Sequence, residues 1–229
     1  MENPWLELPL TGEFVLECDR KAVETFNRTA RPEHRLRLDA FPGPFLGDSE
    51  AQVLLLTLNP GFSDQDIVTE NHNMEWNRKC LNHEDLEYHF FLLHPLIKEL
   101  DGPKWWYQRL RTIIERYGPE GRRFVANNIL NVEYFPYPSL RAAGFHREAA
   151  LPSQQYGFYL VEKAMQREAV IIAMRSVQPW LHSVKGLSEY PYLYKLNSTQ
   201  SVYITERNSP AGYPEIIKRL DERFKGWSN

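Results

Sequence analysis

A nearly continuous apolar run, QVLLLTL, occupies residues 52 to 58. A strand that is apolar on both faces must be covered on both faces, which is typical of strands in parallel sheets that are packed between helices. The run stops at Asn59, Pro60 and Gly61, which together form a strong turn signal. The segment therefore predicts a central buried strand that ends in a tight loop.

Three later segments are short, rich in Val and Ile, and bounded by polar or turn residues, so we predict strands there as well. They are residues 124 to 132, 169 to 174 and 201 to 206. Helical spacing of apolar residues predicts helices over residues 85 to 100, 104 to 117, 153 to 167 and 213 to 224. Strands that alternate with helices predict an α/β fold, a three-layer α/β/α sandwich with a mainly parallel four-stranded sheet.

The length of 229 residues is that of one domain. Residues 1 to 50 have a different texture, with Arg, Pro and His mixed together, and we expect them to form an N-terminal extension packed on the core of residues 51 to 229. Only two cysteines occur, and no secretory or membrane-spanning pattern is present, so we expect a cytoplasmic protein. The chain lacks the paired histidine spacing of a metal site, and we expect no cofactor.

The net charge of −3, from 27 basic and 30 acidic residues, excludes a protein that holds nucleic acid by bulk charge alone. A net charge of −3 still allows a local basic patch on the surface. Aromatic residues make up 13% of the chain, and although most of them are expected in the core, some are available for stacking on bases. Two groups of basic residues are candidates for facing DNA, with a solvated helix surface as the alternative: Arg109, Arg111, Arg116, Arg122 and Arg123, and Lys218, Arg219, Arg223 and Lys225.

Loops rich in Asn, Pro and Ser follow three of the predicted strands. In open α/β sheets, ligands bind where the loops from the carboxyl ends of the strands converge. Asn offers one acceptor and two donors that match the edge of a nucleobase, and Phe or Tyr offers a stacking face. Pro and Gly allow backbone amides to approach a phosphate closely. The joint occurrence of these loops indicates a nucleotide-like ligand. The loop residues are Asn59, Pro60, Gly61 and Phe62, then Glu133, Tyr134 and Ser139, and finally Asn208, Ser209, Pro210, Ala211, Gly212 and Tyr213.

At these residues the chain resembles the uracil-DNA glycosylase superfamily. The run LLLTLNPG, residues 54 to 61, is similar to the Gly-Ile-Asn-Pro-Gly motif of the mismatch-specific uracil/thymine branch. Residues 129 to 132, ILNV, resemble the Asn-bearing strand of the thermostable branch, and residues 207 to 212, RNSPAG, resemble the second active-site motif. The order and approximate spacing of the three motifs agree over residues 51 to 225. The resemblance implies a DNA glycosylase that flips a nucleotide out of the helix and hydrolyses its N-glycosidic bond.

The resemblance also implies roles for individual residues. Asn59 would position the hydrolytic water, Asn131 would read the base edge, and Asn208 would donate to the departing base. Phe62 is the first candidate for stacking on the base, with Tyr134 and Phe135 as alternatives, and Gly61 is a further base-binding candidate. Contacts to DNA would come from Pro60, Ser139, Ser209, Pro210, Ala211, Gly212 and Tyr213, with Tyr213 either filling the vacated stack or starting the last helix.

The motifs depart from the family in two places. No Gln-Asp-Pro-Tyr-His sequence is present, so Asn59 stands where the water-activating Asp is expected, and Asn208 stands where many branches have His. We therefore add Glu133 as a candidate carboxylate that supplements weak water activation, with a solvated Glu or a salt-bridge partner as the alternative. Asp64 and Asp66 are further candidates, in a segment of residues 63 to 84 that we expect to cover the pocket and to reshape base choice toward a modified base.

The leading prediction is thus a monomeric, monofunctional DNA glycosylase that contacts a single flipped nucleotide and no membrane. Because the usual Asp and His are missing, a noncatalytic module that binds a nucleotide, DNA or a protein partner through the same pocket is the main alternative. A nucleotide hydrolase on a similar sheet is a third possibility, which the absence of a Gly-rich phosphate loop disfavours.

Overall fold

A five-stranded, mostly parallel sheet lies at the centre of the computed structural model, which describes residues 1 to 62, 70 to 142 and 151 to 227. The strands are β1 (Phe45–Gly47), β2 (Val53–Thr57), β3 (Ile129–Glu133), β4 (Val170–Ala173) and β5 (Leu193–Lys195). Their spatial order is β1-β3-β2-β4-β5, and only β1 is antiparallel to its neighbour. The fold is therefore α/β, as predicted, with five strands rather than four.

The described helices are α1 (Glu17–Thr29), α2 (Glu70–Leu81), α3 (Asp101–Arg116), α4 (Gly121–Ala126), α5 (Gln154–Gln166), α6 (Val177–Ser183) and α7 (Gly212–Phe224). Helix α5 packs against β3, and α7 packs against β4 and β5. Every residue of β2 and β4 is buried, which is why both segments are apolar throughout. The predicted helices at residues 104 to 117, 153 to 167 and 213 to 224 are confirmed to within a few residues at each end.

Two strand predictions need correction. The segment 124 to 132 is a strand only from residue 129 onward, because α4 continues to Ala126 and the Asn128 side chain donates to the Phe124 carbonyl oxygen before β3 begins. Residues 201 to 206 do not form a strand of the sheet, and β5 takes the place that was predicted for them. Val202 and Ile204 are buried as in a strand, but the backbone N–H of Ile204 donates to the carbonyl oxygen of Arg109 on α3. Alternating burial against a helix produced the same sequence pattern as a strand.

The helix predicted over residues 85 to 100 is also wrong. Pro95 lacks a backbone N–H and interrupts the helical ladder, so the segment contains only two short 3-10 turns, Phe91–Leu93 and Pro95–Ile97. Phe90, Phe91, Leu93 and Ile97 are nevertheless buried, which explains the apolar pattern.

Residues 1 to 50 are joined to the core by a strand and by a buried carboxylate. They contribute β1, which pairs with β3, and the side chain of Asp19 on α1, which is fully buried. The Tyr137 hydroxyl donates to Asp19 Oδ2 at 2.7 Å, and the backbone N–H of Ser153 donates to Oδ1 at 3.1 Å. The N-terminal segment thus ties together two loops that lie far from it in the sequence.

Candidate active site

The strand order places a crevice at the carboxyl ends of β2, β3 and β4. The chain leaves β2 for β3 on one side and later returns to β4 on the other side of β2. In open α/β sheets such a reversal of strand order separates the neighbouring loops and is where ligands bind. The residues that end or follow these strands are Thr57 and Asn59, Glu133, and Arg175.

Glu133 ends β3 and is held by a chain of polar side chains. In the parallel register Leu55 lies opposite Asn131 and Thr57 lies opposite Glu133, so Thr57, Asn131 and Glu133 share one face of the sheet. The Thr57 hydroxyl donates to Asn131 Oδ1 at 2.8 Å, and Asn131 Nδ2 donates to Glu133 Oε1 at 3.1 Å. Asn131 is 2% exposed. Its amide therefore orients Glu133, whereas the resemblance had implied that it would read a base edge.

The carboxyl group of Glu133 has an unusual electrostatic environment. Its Oε2 atom is buried and has no hydrogen-bond partner among the described residues. Burial raises the pKa of Glu133 to about 7, against smaller opposing effects from Thr57, Asn131 and the charge of Arg175. A carboxyl group with such a pKa is present in both protonation states near neutral pH, which is the property required of a general acid or base. Glu133 is therefore not the fully solvated side chain that the alternative expected, because its Oε2 atom is buried.

The side chain of Asn59 is fixed in one orientation. Its Nδ2 donates to the Pro60 carbonyl oxygen at 3.1 Å and to Ser139 Oγ at 2.9 Å. A carbonyl oxygen can only accept, so the nitrogen and the oxygen of the amide are distinguished by this contact. Both N–H groups are used, and Oδ1 has no partner among the residues that the structure describes. An acceptor held in this way can orient a water molecule.

The loop after β2 and the loop after β3 run side by side. Gly61 forms an isolated parallel bridge with Ser139, and the Ser139 N–H lies 3.4 Å from the Pro60 carbonyl oxygen. Gly61 is exposed and Ser139 is buried. The structure thus brings Asn59, Pro60, Gly61 and Ser139 together, as expected for loops at one edge of the sheet.

The three aromatic residues predicted as candidates for stacking on a base are largely covered, and Phe135 is only 4% exposed. The guanidinium carbon of Arg37 lies 4.0 Å from the ring centroid of Phe62, which is 9% exposed. The ring of Tyr134 packs among Phe135, Phe158 and Trp180, and its hydroxyl is 2.8 Å from Ser183 Oγ. Stacking on Phe62 would require Arg37 to move, and Tyr134 is a core residue in this arrangement.

The amide of Asn208 is used entirely within its own loop. Its Nδ2 donates to the carbonyl oxygens of Ser201 and Tyr203, both at 2.8 Å, and its Oδ1 accepts from the Ser198 N–H at 2.9 Å. No side-chain N–H of Asn208 is left for a departing base. In this arrangement Asn208 orders residues 198 to 208, and no hydrogen bond between described residues joins it to Asn59 or Glu133.

The rest of the last loop leads into α7. Ser209 is buried and its Oγ has no partner among the described residues, while Pro210 and Ala211 are exposed. Gly212 begins α7 against β4 and β5, where a Cβ would lie 2.5 Å from Ser209 Oγ and 2.9 Å from Ile172 Cδ1. Tyr213 is the second residue of α7 and is half-buried against the core. Of its two predicted roles, starting the last helix is the one that the geometry provides.

Three residues at the crevice were not predicted from the sequence. Thr57 begins the polar chain to Glu133, and the indole Nε1 of the fully buried Trp180 donates to the Thr57 carbonyl oxygen at 3.0 Å. Arg175 is exposed just after β4 and acts electrostatically on Glu133. Its position after a strand was the only available signal. Asp64 and Asp66 lie outside the described residues.

Within the described parts of the chain, no three His, Cys, Asp or Glu residues are grouped so that they could hold a metal ion. No described helix combines the length and apolar character needed to cross a membrane. Comparisons of the chain with models of known families, with curated proteins and with solved structures found no match.

Proposed function

We propose that this protein is a monofunctional DNA glycosylase that hydrolyses the N-glycosidic bond of a flipped uracil-like, mismatched or modified base. The observation that carries the proposal is the buried Glu133 carboxyl group, with its raised pKa, at the carboxyl edge of the sheet. Asn59, in the adjoining loop, offers a fixed carbonyl acceptor. The proposal treats the protein as a cytoplasmic monomer built as a three-layer α/β/α sandwich.

In the proposed reaction, the bond between C1′ and the base nitrogen breaks and leaves its electron pair on the base. A water molecule oriented by Asn59 Oδ1 forms the new C1′–O bond. Ionised Glu133 accepts a proton from this water, and that proton finally neutralises the base. Because the Asn208 amide is satisfied within its loop, stabilisation of the departing base has to come from other donors, such as backbone N–H groups.

The test is incubation of the purified protein with oligonucleotides that carry uracil, mismatched thymine, hypoxanthine or modified cytosines, in single and double strands, followed by alkaline cleavage of abasic sites. We expect excision from at least one substrate. Glu133→Gln should then lower the single-turnover rate by roughly 10²- to 10⁴-fold, and Asn59→Ala should also lower it substantially. Glu162→Gln, which changes an exposed carboxylate on α5, serves as the matched control and should retain the wild-type rate.

The pH dependence of excision gives a second readout. If Glu133 accepts the proton, the rate should rise with pH as this group ionises around pH 7 and then level off, and the Glu133→Gln variant should not show this rise. A wild-type rate in Glu133→Gln would refute the assigned role.

The alternative is a noncatalytic module that binds a nucleotide, DNA or a protein partner on the same fold. The observation that favours it is that three side chains expected to contact the base are not available to it. Asn131 and Tyr134 are buried, and the amide of Asn208 is used within its own loop. Retained binding with no excision from any of the substrates would support this alternative and contradict the glycosylase.

A further inference from the structure

Arg109 on α3 lies between two aromatic rings. Its guanidinium carbon is 4.3 Å from the ring centroid of Trp105 and 4.8 Å from that of Tyr203. Such stacking holds the guanidinium plane and favours one orientation of its N–H groups. Arg109 was one of several basic candidates on this part of the chain, and it is restrained by both rings.

The segment that carries Tyr203 is fixed from two directions. The Ile204 N–H donates to the Arg109 carbonyl oxygen, and the Thr112 hydroxyl donates to the Ile204 carbonyl oxygen, each at 3.0 Å. On the other side, Asn208 Nδ2 donates to the Tyr203 carbonyl oxygen. The neighbours of Tyr203, Val202 and Ile204, are buried, whereas Tyr203 is 39% exposed. The loop ordered by Asn208 therefore presents this ring, with Arg109 against it, at the surface.

Arg109 has no anionic partner in the part of the chain that the structure describes. Its Nη1 donates to the Trp105 carbonyl oxygen at 3.4 Å and to Gln108 Oε1 at 3.0 Å, and its buried Nε has no acceptor among the described residues. No described Asp or Glu forms an ion pair with Arg109. Burial lowers its pKa, and so does the like charge of Arg175. A partly buried cation without a counter-ion is costly, and an anionic ligand would offset that cost.

Arg175 connects this surface to the candidate active site. It follows β4 at the crevice. The loop that carries Tyr203 lies at the same edge of the sheet, because the Asn197 N–H, just after the neighbouring parallel strand β5, donates to the Asn208 carbonyl oxygen at 2.7 Å. In keeping with this placement, the charge of Arg175 adds to the lowering of the Arg109 pKa by burial and opposes the raising of the Glu133 pKa by burial. Like Arg109, it forms no ion pair with a described Asp or Glu. Two cations that have no acidic partner among the described residues therefore lie near the carboxyl group proposed for catalysis.

We infer that Arg109 and Arg175 form a phosphate-binding site for a nucleic-acid strand that enters the crevice beside Glu133, with Tyr203 and Trp105 holding the Arg109 guanidinium in place. This inference rests on the proposed function in taking DNA as the partner, and it adds the contact that a weakly acidic protein needs to hold a strand. A diester phosphate offers two unesterified oxygens to the free N–H groups of Arg109, while Arg175 contributes charge.

The test is fluorescence anisotropy with a labelled oligothymidylate of about twelve nucleotides, which contains no excisable base. Affinity is measured at several KCl concentrations for the wild type, Arg109→Met, Arg175→Gln and the control Arg111→Met. Arg111 lies on the same helix, but its side chain is 61% exposed and pairs with Glu115. We expect Arg109→Met and Arg175→Gln each to weaken binding roughly tenfold at low salt and to reduce the slope of log K against log [KCl] by about 0.7. Arg111→Met should leave both quantities at the wild-type value.

Several outcomes would overturn the inference: no binding by the wild type, or unchanged slopes in both test variants. Arg175 is exposed, so Arg175→Gln keeps the test valid if Arg109→Met unfolds. Displacement of the strand by an equal phosphate concentration of thymidine monophosphate would assign the site to a free nucleotide and would overturn the strand assignment. The binding probe contains no excisable base, so this assay and the excision assay fail independently. Binding that depends on Arg109, with no excision from any oligonucleotide of the panel, would refute the glycosylase and leave this inference standing. Excision with unchanged salt slopes in both variants would support the glycosylase and overturn this inference.

Discussion

Glu133 should make the stability of the folded protein depend on pH in a way that one substitution removes. Its pKa is about 7 in the folded protein against 4.5 for an ordinary Glu. A carboxyl group whose pKa is raised by folding destabilises the folded state once it ionises. Below pH 4.5 Glu133 is protonated in both the folded and the unfolded protein, so the free energy of unfolding is not reduced. Between pH 4.5 and about 7 the unfolded chain gains free energy by ionising first, and above pH 7 the loss is complete.

The expected size follows from the shift. At 1.36 kcal/mol per pKa unit, the loss approaches about 3 kcal/mol. Glu133→Gln mimics the protonated carboxyl group and can still accept from Asn131 Nδ2, so the variant does not suffer this loss. The difference in unfolding free energy between variant and wild type should therefore change by about 3 kcal/mol from pH 4.5 to pH 8.5. In a chain of this size the corresponding change in Tm is roughly 6–12 °C.

The measurement is urea unfolding followed by tryptophan fluorescence at several pH values, with Glu162→Gln as the matched control. Any constant effect of the glutamine amide cancels, because only the change with pH is compared. A difference between Glu133→Gln and wild type that stays constant over the whole range would refute the claim that burial perturbs this carboxyl group. The same result in Glu162→Gln as in Glu133→Gln would show that the effect is not specific to the site.

Two further substitutions test the last loop and the helix that follows it. Gly212→Ala would push a Cβ against Ser209 Oγ and should lower the unfolding free energy by about 1–3 kcal/mol. Gly102→Ala in α3 is the control: its Cβ would meet nothing within 4 Å, so it should be neutral or slightly stabilising. Urea titrations of both variants beside the wild type check these two expectations. Asn208→Ala removes the side-chain bonds to Ser201, Tyr203 and Ser198 and should cost about 1–3 kcal/mol in the same assay, while an unchanged midpoint would contradict its role in ordering the loop.

The strands buried on both faces were the part of the fold most accessible to prediction. β2 and β4 are apolar at almost every position, and only a strand covered from both sides requires that composition. The segment 201 to 206 was less informative, because alternating burial reports one covered face and does not say whether a sheet or a helix covers it. Strand β1 has only three residues, follows Pro44 and ends in Gly47, so it carries almost no signal of its own.

The location of the candidate site could be predicted from the sequence, whereas the roles of several of its residues could not. Loops after parallel strands meet at one edge, so Asn59 and Glu133 could be assigned to the crevice from their positions alone. The burial of Asn131 and Tyr134 depends on strand register and on groups far away in the sequence, such as the Thr57 hydroxyl, which donates to Asn131 from 74 residues away. The amide of Asn208 is used by backbone groups of its own loop. The raised pKa of Glu133 likewise comes from burial, which its neighbours in the sequence do not reveal.

The buried carboxylate of Asp19 also has a consequence for synthesis of the chain. Its hydrogen-bond partners Tyr137 and Ser153 follow it by 118 and 134 residues. At about 5–20 residues per second, a ribosome needs roughly 6–24 s to make Tyr137 after Asp19. Until then Asp19 has neither of the two partners that offset its desolvation in the folded protein. We therefore expect α1, the first helix to be made, to reach its final position only after the segments that carry Tyr137 and Ser153 have been made.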